Sequence, residues 1–316
     1  MSIAPTDAAA LSGGALSRLQ LALSDIKLAH SVFALPFALL AAVIASPASR
    51  GEAPWTTLAA QGALVALCMF LARTWAMLVN RIADRRFDRD NPRTAERAVA
   101  SGRLSERAAV RIALIFAGAF IASASLFHLF FANPWPAILS VPVLVWIAFY
   151  SYTKRFTAWC HVFLGGALAA SPLAAAVAVD PPFLISSDGV SLWFLSGMVL
   201  CWVAGFDIAY ALQDLDFDRR TGLHSVPARL GVKRSLWLSR ALHLVAFLCL
   251  GGCIAFETRF GVIMRTAGAL VAALLVFEHA VLHKRGLSGL PMAFFTINGV
   301  VSITLGVAGI VDALNG

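Results

Sequence analysis

Residues 57–88, TLAAQGALVALCMFLARTWAMLVNRIADRRFD, open as an apolar run of bilayer-crossing length and end in three evenly spaced oxygen-bearing side chains, Asn80, Asp84 and Asp88. Steps of four keep those side chains on one face of a helix. A run of about 20 apolar residues crosses a membrane as a helix, so this stretch reads as a span whose polar end emerges from lipid. The same design recurs at 207–218, DIAYALQDLDFD, where Asp207, Tyr210, Asp214 and Asp218 follow another apolar run. Carboxylates this close repel one another and ionise reluctantly near lipid unless a cation neutralises them. Each cluster is therefore expected to project oxygen ligands from one helix end toward a divalent metal such as Mg²⁺; the alternative is a pair of solvated helix ends balanced by neighbouring arginines.

Working outward, 59% of the 316 residues are hydrophobic and only 13% are charged, too little polar surface to cover a soluble globule of this size. Apolar runs occur near 27–46, 57–79, 109–132, 135–152, 158–179, 190–212, 236–256, 262–282 and 290–312. They predict an all-α integral membrane protein with nine transmembrane helices around a central cavity. Residues 1–24 read as a flexible N-terminal tail without a cleavable leader, and 25–316 as a single transmembrane domain. Cys68, Cys160, Cys201, Cys249 and Cys253 lie inside apolar runs with no CxxC pair, so they read as buried filler.

The net charge of +8 is concentrated in alternate loops. Arg81 to Arg107 follow the second run, Lys154 and Arg155 the fourth, Arg219 to Arg234 the sixth, and Lys284 and Arg285 the eighth. By the positive-inside rule these loops, the N-terminus and both acidic clusters face the cytoplasm. The basic residues thus read as orientation signals in a membrane and not as a nucleic-acid surface. The expected location is a bacterial inner membrane, crossed many times.

The two clusters stand about 130 residues apart, and each leads into a basic, turn-prone loop, RDNPRTAERAVASGRLS and RRTGLHSVPARLG. This loose repeat predicts two acidic corners facing each other across a cavity. Metal ions there, with Lys and Arg donors alongside, suit a diphosphate and stabilise the charge that grows as it leaves. Arg73, seven residues before Asn80, lies deep in a span and should point inward, either at a diphosphate or acceptor carboxylate or into an ion pair with Asp207. Asp207 is placed to polarise an acceptor hydroxyl, with Tyr210 hydrogen-bonding nearby. The histidines are scattered over separate runs and read as interhelical hydrogen-bonding groups; His279 and His283 form the one HxxxH pair, and His30, with Lys27 at the start of the first run, is the exception, a candidate contact for an acceptor carboxylate.

NRIADRRFDRDNPRTAERAVASGRL resembles the first acidic motif and basic loop of the UbiA superfamily of membrane prenyltransferases. DIAYALQDLDFDRRTGLHSVPARLG resembles its second, and the likeness covers residues 25 to 313. Arg81 stands where the family commonly has Asp, and AVASG replaces its PLxSG. The resemblance implies the UbiA-type nine-helix fold, with Mg²⁺ and through it a diphosphate held by Asn80, Asp84, Asp88, Asp214 and Asp218. It also implies diphosphate contacts for Lys154 and Arg155 in YSYTKRFT and for Arg93 and Arg97, although any cytoplasmic loop would carry such a basic pair. The branch it is most similar to implies transfer of a polyprenyl group from polyprenyl diphosphate to a ring carbon of an aromatic hydroxy-carboxylate, 4-hydroxybenzoate or 1,4-dihydroxy-6-naphthoate, in ubiquinone or menaquinone biosynthesis. Alternatives are prenyl transfer to haem, chlorophyllide or a glyceryl phosphate; the intramembrane charges and pseudo-repeat also suit a secondary transporter.

Overall fold

The computed structural model describes residues 14–24, 33–290 and 292–316. Among them, nine helices build the bundle: α1 (Leu35–Ala45), α2 (Trp55–Asp90), α3 (Glu106–Phe131), α4 (Trp135–Thr153), α5 (Cys160–Val179), α6 (Val190–Tyr210), α7 (Val226–Phe256), α8 (Val262–Arg285) and α9 (Asn298–Asn315). No strand occurs among the described residues, as expected where the surrounding lipid cannot satisfy open backbone groups. Eight helices are long and apolar enough to cross a membrane, and α1 is a shorter apolar helix. The all-α architecture read from composition is therefore present. Lys27 and His30, with the start of the first expected span, lie outside the described residues.

Each helix packs on the next in sequence, and α9 returns to α1 to close the ring. Large apolar side chains such as Ile115, Leu129 and Val276 point outward, the polarity expected of a lipid-facing surface. Helix α6 is the most enclosed span and packs chiefly on α5 and α7. A Cβ on Gly165 would come within 2.5 Å of the Leu200 carbonyl oxygen, so the α5–α6 contact depends on glycine there. The fully buried Trp202 of α6 donates its indole N–H to Asn298 Oδ1 at 2.8 Å and meets Phe37 and Phe206 edge-on.

Three features depart from the sequence reading. Helix α2 does not stop near residue 79 but continues through the first acidic motif to Asp90, 36 residues in all. At about 1.5 Å per residue it is roughly 54 Å long, well beyond the hydrocarbon thickness. Second, the Asp207 motif does not lie on one helix face: α6 ends at Tyr210, a 3₁₀ turn covers Ala211–Asp214, and a short helix, Leu215–Thr221, follows. Third, within the expected flexible tail, Ala15–Ser24 is helical and buries Ala22 in a cluster with Leu78, Val99 and Leu104; residues 1–13 lie outside the described residues.

The two basic loops end alike. Ser105 Oγ accepts from Ala108 N at 3.3 Å and Ser225 Oγ from Ala228 N at 3.2 Å, each satisfying a donor at a helix N-terminus that would otherwise lack a partner. These caps fix where each loop rejoins the bundle, next to the acidic motif that precedes it.

Candidate active site

On α2, Asn80, Asp84 and Asp88 share a face, and the Asn80 amide donates to Asp84 Oδ2 at 2.9 Å. Arg155, just beyond α4, reaches Asp84 Oδ1 at 3.1 Å and the Ala83 carbonyl at 2.7 Å. Arg97 Nη1 bridges both Asp88 oxygens at 2.7 and 2.9 Å. The loop after α2 then crosses to the second motif. Arg93 grips Asp214 through two bonds, Nε to Oδ1 at 3.0 Å and Nη2 to Oδ2 at 2.6 Å, and Asn91 adds a third at 3.1 Å. The two acidic corners therefore face each other and are laced together.

Asp218 is completely buried, with Lys154 Nζ 2.7 Å from its Oδ1. Charge holds this pair, since neither Asp218 oxygen has a donor aligned for a hydrogen bond. Burial works against the Lys154 charge, but the attraction of Asp218, helped by Asp214, overrides it and raises the lysine above its usual range. Lys154 is thus firmly cationic at neutral pH. The 3₁₀ turn breaks the helical period after Tyr210, so Asp218 turns into protein while Asp207 and Asp214 line the polar chamber.

Two adjoining chambers organise these side chains. The polar one, about 520 Å³, is lined by Asp84, Asp88, Arg93, Lys154 and Asp214 among others; Asn80, Arg97 and Tyr210 also reach it. The apolar one, about 410 Å³, lies between α2, α4 and α5, with small side chains such as Ala72, Ala167 and Ala170 on its walls and Arg73 as its one basic residue among those described. Met77, Tyr150, Leu164, Asp207 and Phe294 line both. Tyr210 stacks on Phe294 with ring centroids 4.0 Å apart, and the Arg93 guanidinium lies 5.8 Å from the Tyr210 ring centre.

Not every residue singled out from sequence reaches the chambers. Arg155 and Asp218 line neither. Arg73 does not pair with Asp207: no carboxylate among the described residues lies within ion-pair distance of it, and its buried Nε has no acceptor. Asp207 is held instead by His161, Nδ1 to Oδ2 at 2.7 Å. His279 of α8 hydrogen-bonds His243 of α7 at 3.0 Å, the interhelical role expected of the histidines. Sequence reasoning missed Asn91 and grouped His161 with ordinary interhelical histidines. The available signal for Asn91 was its place at the head of a loop between two motifs; nothing local marks His161. Tyr150, which the sequence offered either as a tunnel aromatic or as a belt anchor, lines both chambers.

The repulsion among carboxylates is relieved here by the chain's own cations, one for each acid: Arg155, Arg97, Arg93 and Lys154 on Asp84, Asp88, Asp214 and Asp218. Among the described residues no three His, Cys, Asp or Glu side chains gather at metal-binding range. The donor chemistry of the polar chamber nevertheless fits a hard divalent cation, which takes oxygen ligands: Asp84, Asp88 and Asp214 offer carboxylates and Asn80 an amide oxygen.

Residues 34–300 match the UbiA prenyltransferase family. The chain is 30% identical over 207 residues to a protein of Hydrogenovibrio crunogenus named 4-hydroxybenzoate octaprenyltransferase, covering 64% of this chain and 68% of that one. Its fold is similar to the apo structure of a UbiA homologue from Aeropyrum pernix, with a TM-score of 0.77 and 32% identity over 91% of this chain and 99% of the other. It also resembles, at 18% identity and a TM-score of 0.65, the Archaeoglobus fulgidus UbiA homologue bound to DMAPP and Mg²⁺, over 94% and 98% of the two chains. The chain belongs to the UbiA prenyltransferase family. It is a multi-pass membrane protein and an enzyme that transfers prenyl groups.

Proposed function

We propose that the enzyme transfers a polyprenyl group from polyprenyl diphosphate to a ring carbon of a phenolic carboxylate, 4-hydroxybenzoate or 1,4-dihydroxy-6-naphthoate, with Mg²⁺ as cofactor. The observation that carries this reading is the adjacency of the two chambers: a cation-rich polar space and an apolar one lie side by side and share Asp207 and Tyr150 in their walls. A diphosphate fits the first and its isoprenoid tail the second. The name of the Hydrogenovibrio relative supports a phenolic carboxylate acceptor, and the Mg²⁺ and DMAPP held by the Archaeoglobus neighbour support the donor and the metal.

Asn80, Asp84, Asp88 and Asp214, which line the polar chamber, would hold Mg²⁺, which when bound neutralises diphosphate oxygens and stabilises the leaving group; Asp218, which the family resemblance adds to that set, lies buried against Lys154 outside the chamber and holds that lysine in place. Arg93, Arg97 and Lys154 donate to the same oxygens, and Arg155 orients Asp84 from behind. Breaking the allylic C–O bond leaves a delocalised cation at the chamber junction, where Tyr150, Tyr210 and Phe294 offer ring faces. Asp207 accepts the acceptor's hydroxyl hydrogen bond, which raises electron density on the neighbouring ring carbon as that carbon attacks; loss of the ring proton restores aromaticity. Arg73 is a cation available to the acceptor carboxylate among the described residues. The basic loops at the acidic end of the bundle support a cytoplasmic face there, with the N-terminus on the same side of a bacterial inner membrane.

Purified enzyme with radiolabelled prenyl diphosphate, offered 4-hydroxybenzoate, 1,4-dihydroxy-6-naphthoate and non-aromatic acceptors in parallel, tests the assignment. Label is expected on an aromatic carboxylate. Label only on a non-aromatic acceptor overturns it.

A further inference from the structure

We propose that His161 is a positioning residue that fixes Asp207 in one orientation, with one carboxylate oxygen presented to the acceptor hydroxyl. The inference rests on the reading of Asp207 as the partner of that hydroxyl. His161 is the first full turn of α5, 3% exposed, and both ring nitrogens are engaged. Nε2 accepts the backbone N–H of Val226 at 3.3 Å, while Nδ1 lies 2.7 Å from Asp207 Oδ2. A ring nitrogen that accepts a hydrogen bond carries no proton, so the proton sits on Nδ1 and is donated to Asp207. The ring is neutral and the carboxylate keeps its charge.

Two consequences follow for the chemistry. Oδ2 is committed to His161, and Asp207, with its side chain 22% exposed, has Oδ1 left for the chamber. A carboxylate held this way presents its oxygen without a search over rotamers, which is how a fixed hydrogen-bonding partner contributes to orientation. Because the ring is neutral, it adds no positive charge beside the carbon where the allylic cation develops.

The pin itself is anchored. Val226 is the first residue of α7, set by the Ser225 cap. The adjacent His224 donates its backbone N–H to the Lys154 carbonyl at 2.7 Å, and Cys160 Sγ approaches the His224 carbonyl at 3.5 Å. One seam therefore joins the lysine of the diphosphate chamber, the start of α7 and the His161–Asp207 pair.

The test measures kcat and both KM values on the full-length enzyme for His161→Leu, His161→Asn, Val226→Pro and Asp207→Asn, with prenyl diphosphate and 4-hydroxybenzoate or 1,4-dihydroxy-6-naphthoate as substrates. His161→Leu should lower kcat on the order of tenfold or more while the KM for prenyl diphosphate stays within about twofold. His161→Asn, whose amide places an N–H where Nδ1 stood, should recover most of that loss. Val226→Pro deletes the pinning N–H at a helix start that tolerates proline, leaves His161 in place, and should also lower kcat. Equal losses for Leu and Asn, or unchanged kcat for Val226→Pro, overturn the positioning role. An Asp207→Asn enzyme with wild-type turnover overturns the underlying reading of Asp207; an inactive Asp207→Asn beside a fully active His161→Leu removes only His161.

Discussion

Arg93 and Asp214, 121 residues apart in sequence, form a two-bond pair across the mouth of the polar chamber, with the shorter bond at 2.6 Å. The planar guanidinium matches the carboxylate edge in a way an ammonium cannot. The same guanidinium lies 5.8 Å from the Tyr210 ring centre, so it ties the first loop to the second motif.

If the Arg93–Asp214 pair serves the chemistry as well as the fold, exchanging its charges separates those two contributions. The double variant Arg93→Asp with Asp214→Arg should keep the thermal stability of the wild type in detergent yet lose turnover by about 100-fold or more. Recovery of turnover in the double variant would show that the pair is only a strut. Arg93→Lys alone should raise the KM for prenyl diphosphate while the protein still folds.

Asp84 lies on the chamber wall and is part-exposed, its oxygens held by Arg155 and Asn80, so its loss should affect chemistry before stability. Asp84→Ala and Asp214→Ala are expected to cut turnover by at least about 100-fold in protein that still inserts and elutes as a single species, and EDTA should reproduce the loss, with Mg²⁺ restoring it. Turnover indifferent to chelation and to both substitutions would refute the metal assignment.

Asp218 is predicted to behave differently, because it is fully buried against Lys154. Removing one member of such a pair strands a charge, at a cost of about 3–5 kcal/mol. Lys154→Met should therefore lower the melting temperature as well as activity, and adding Asp218→Asn should restore part of the stability but none of the turnover. Circular dichroism melts alongside assays separate these effects; a single Lys154→Met variant as stable as wild type would argue against the buried pair.

Small side chains on α5 keep the apolar chamber open. Ala170→Phe, on its wall, should raise the KM for long polyprenyl diphosphates about tenfold or more while a dimethylallyl donor is still turned over. Equal effects on short and long donors would place the isoprenoid tail elsewhere.

Much of this was legible in the residues. The apolar runs and the interval between the two acidic motifs lead directly to a membrane bundle with an oxygen-rich corner at each motif, because length and four-residue spacing act locally. Asn80, Asp84 and Asp88 sit on one helix face as their spacing requires. The second motif escaped the same reasoning at Asp218, since a 3₁₀ turn after Tyr210 breaks the helical period, and nothing in LQDLDFD announces it.

By itself the sequence determined the class of the fold, which helix ends carry carboxylates and where the basic loops fall. Tertiary structure alone decided the partners: Arg93 with Asp214, Lys154 with Asp218, and His161, not Arg73, with Asp207. The physical reason is that hydrophobic periodicity acts over a few residues, whereas these contacts join groups tens of residues apart or more and form only once the ring of helices closes α9 onto α1. Burial then selects the pairing, because each carboxylate taken out of water must find a cation or a donor within reach.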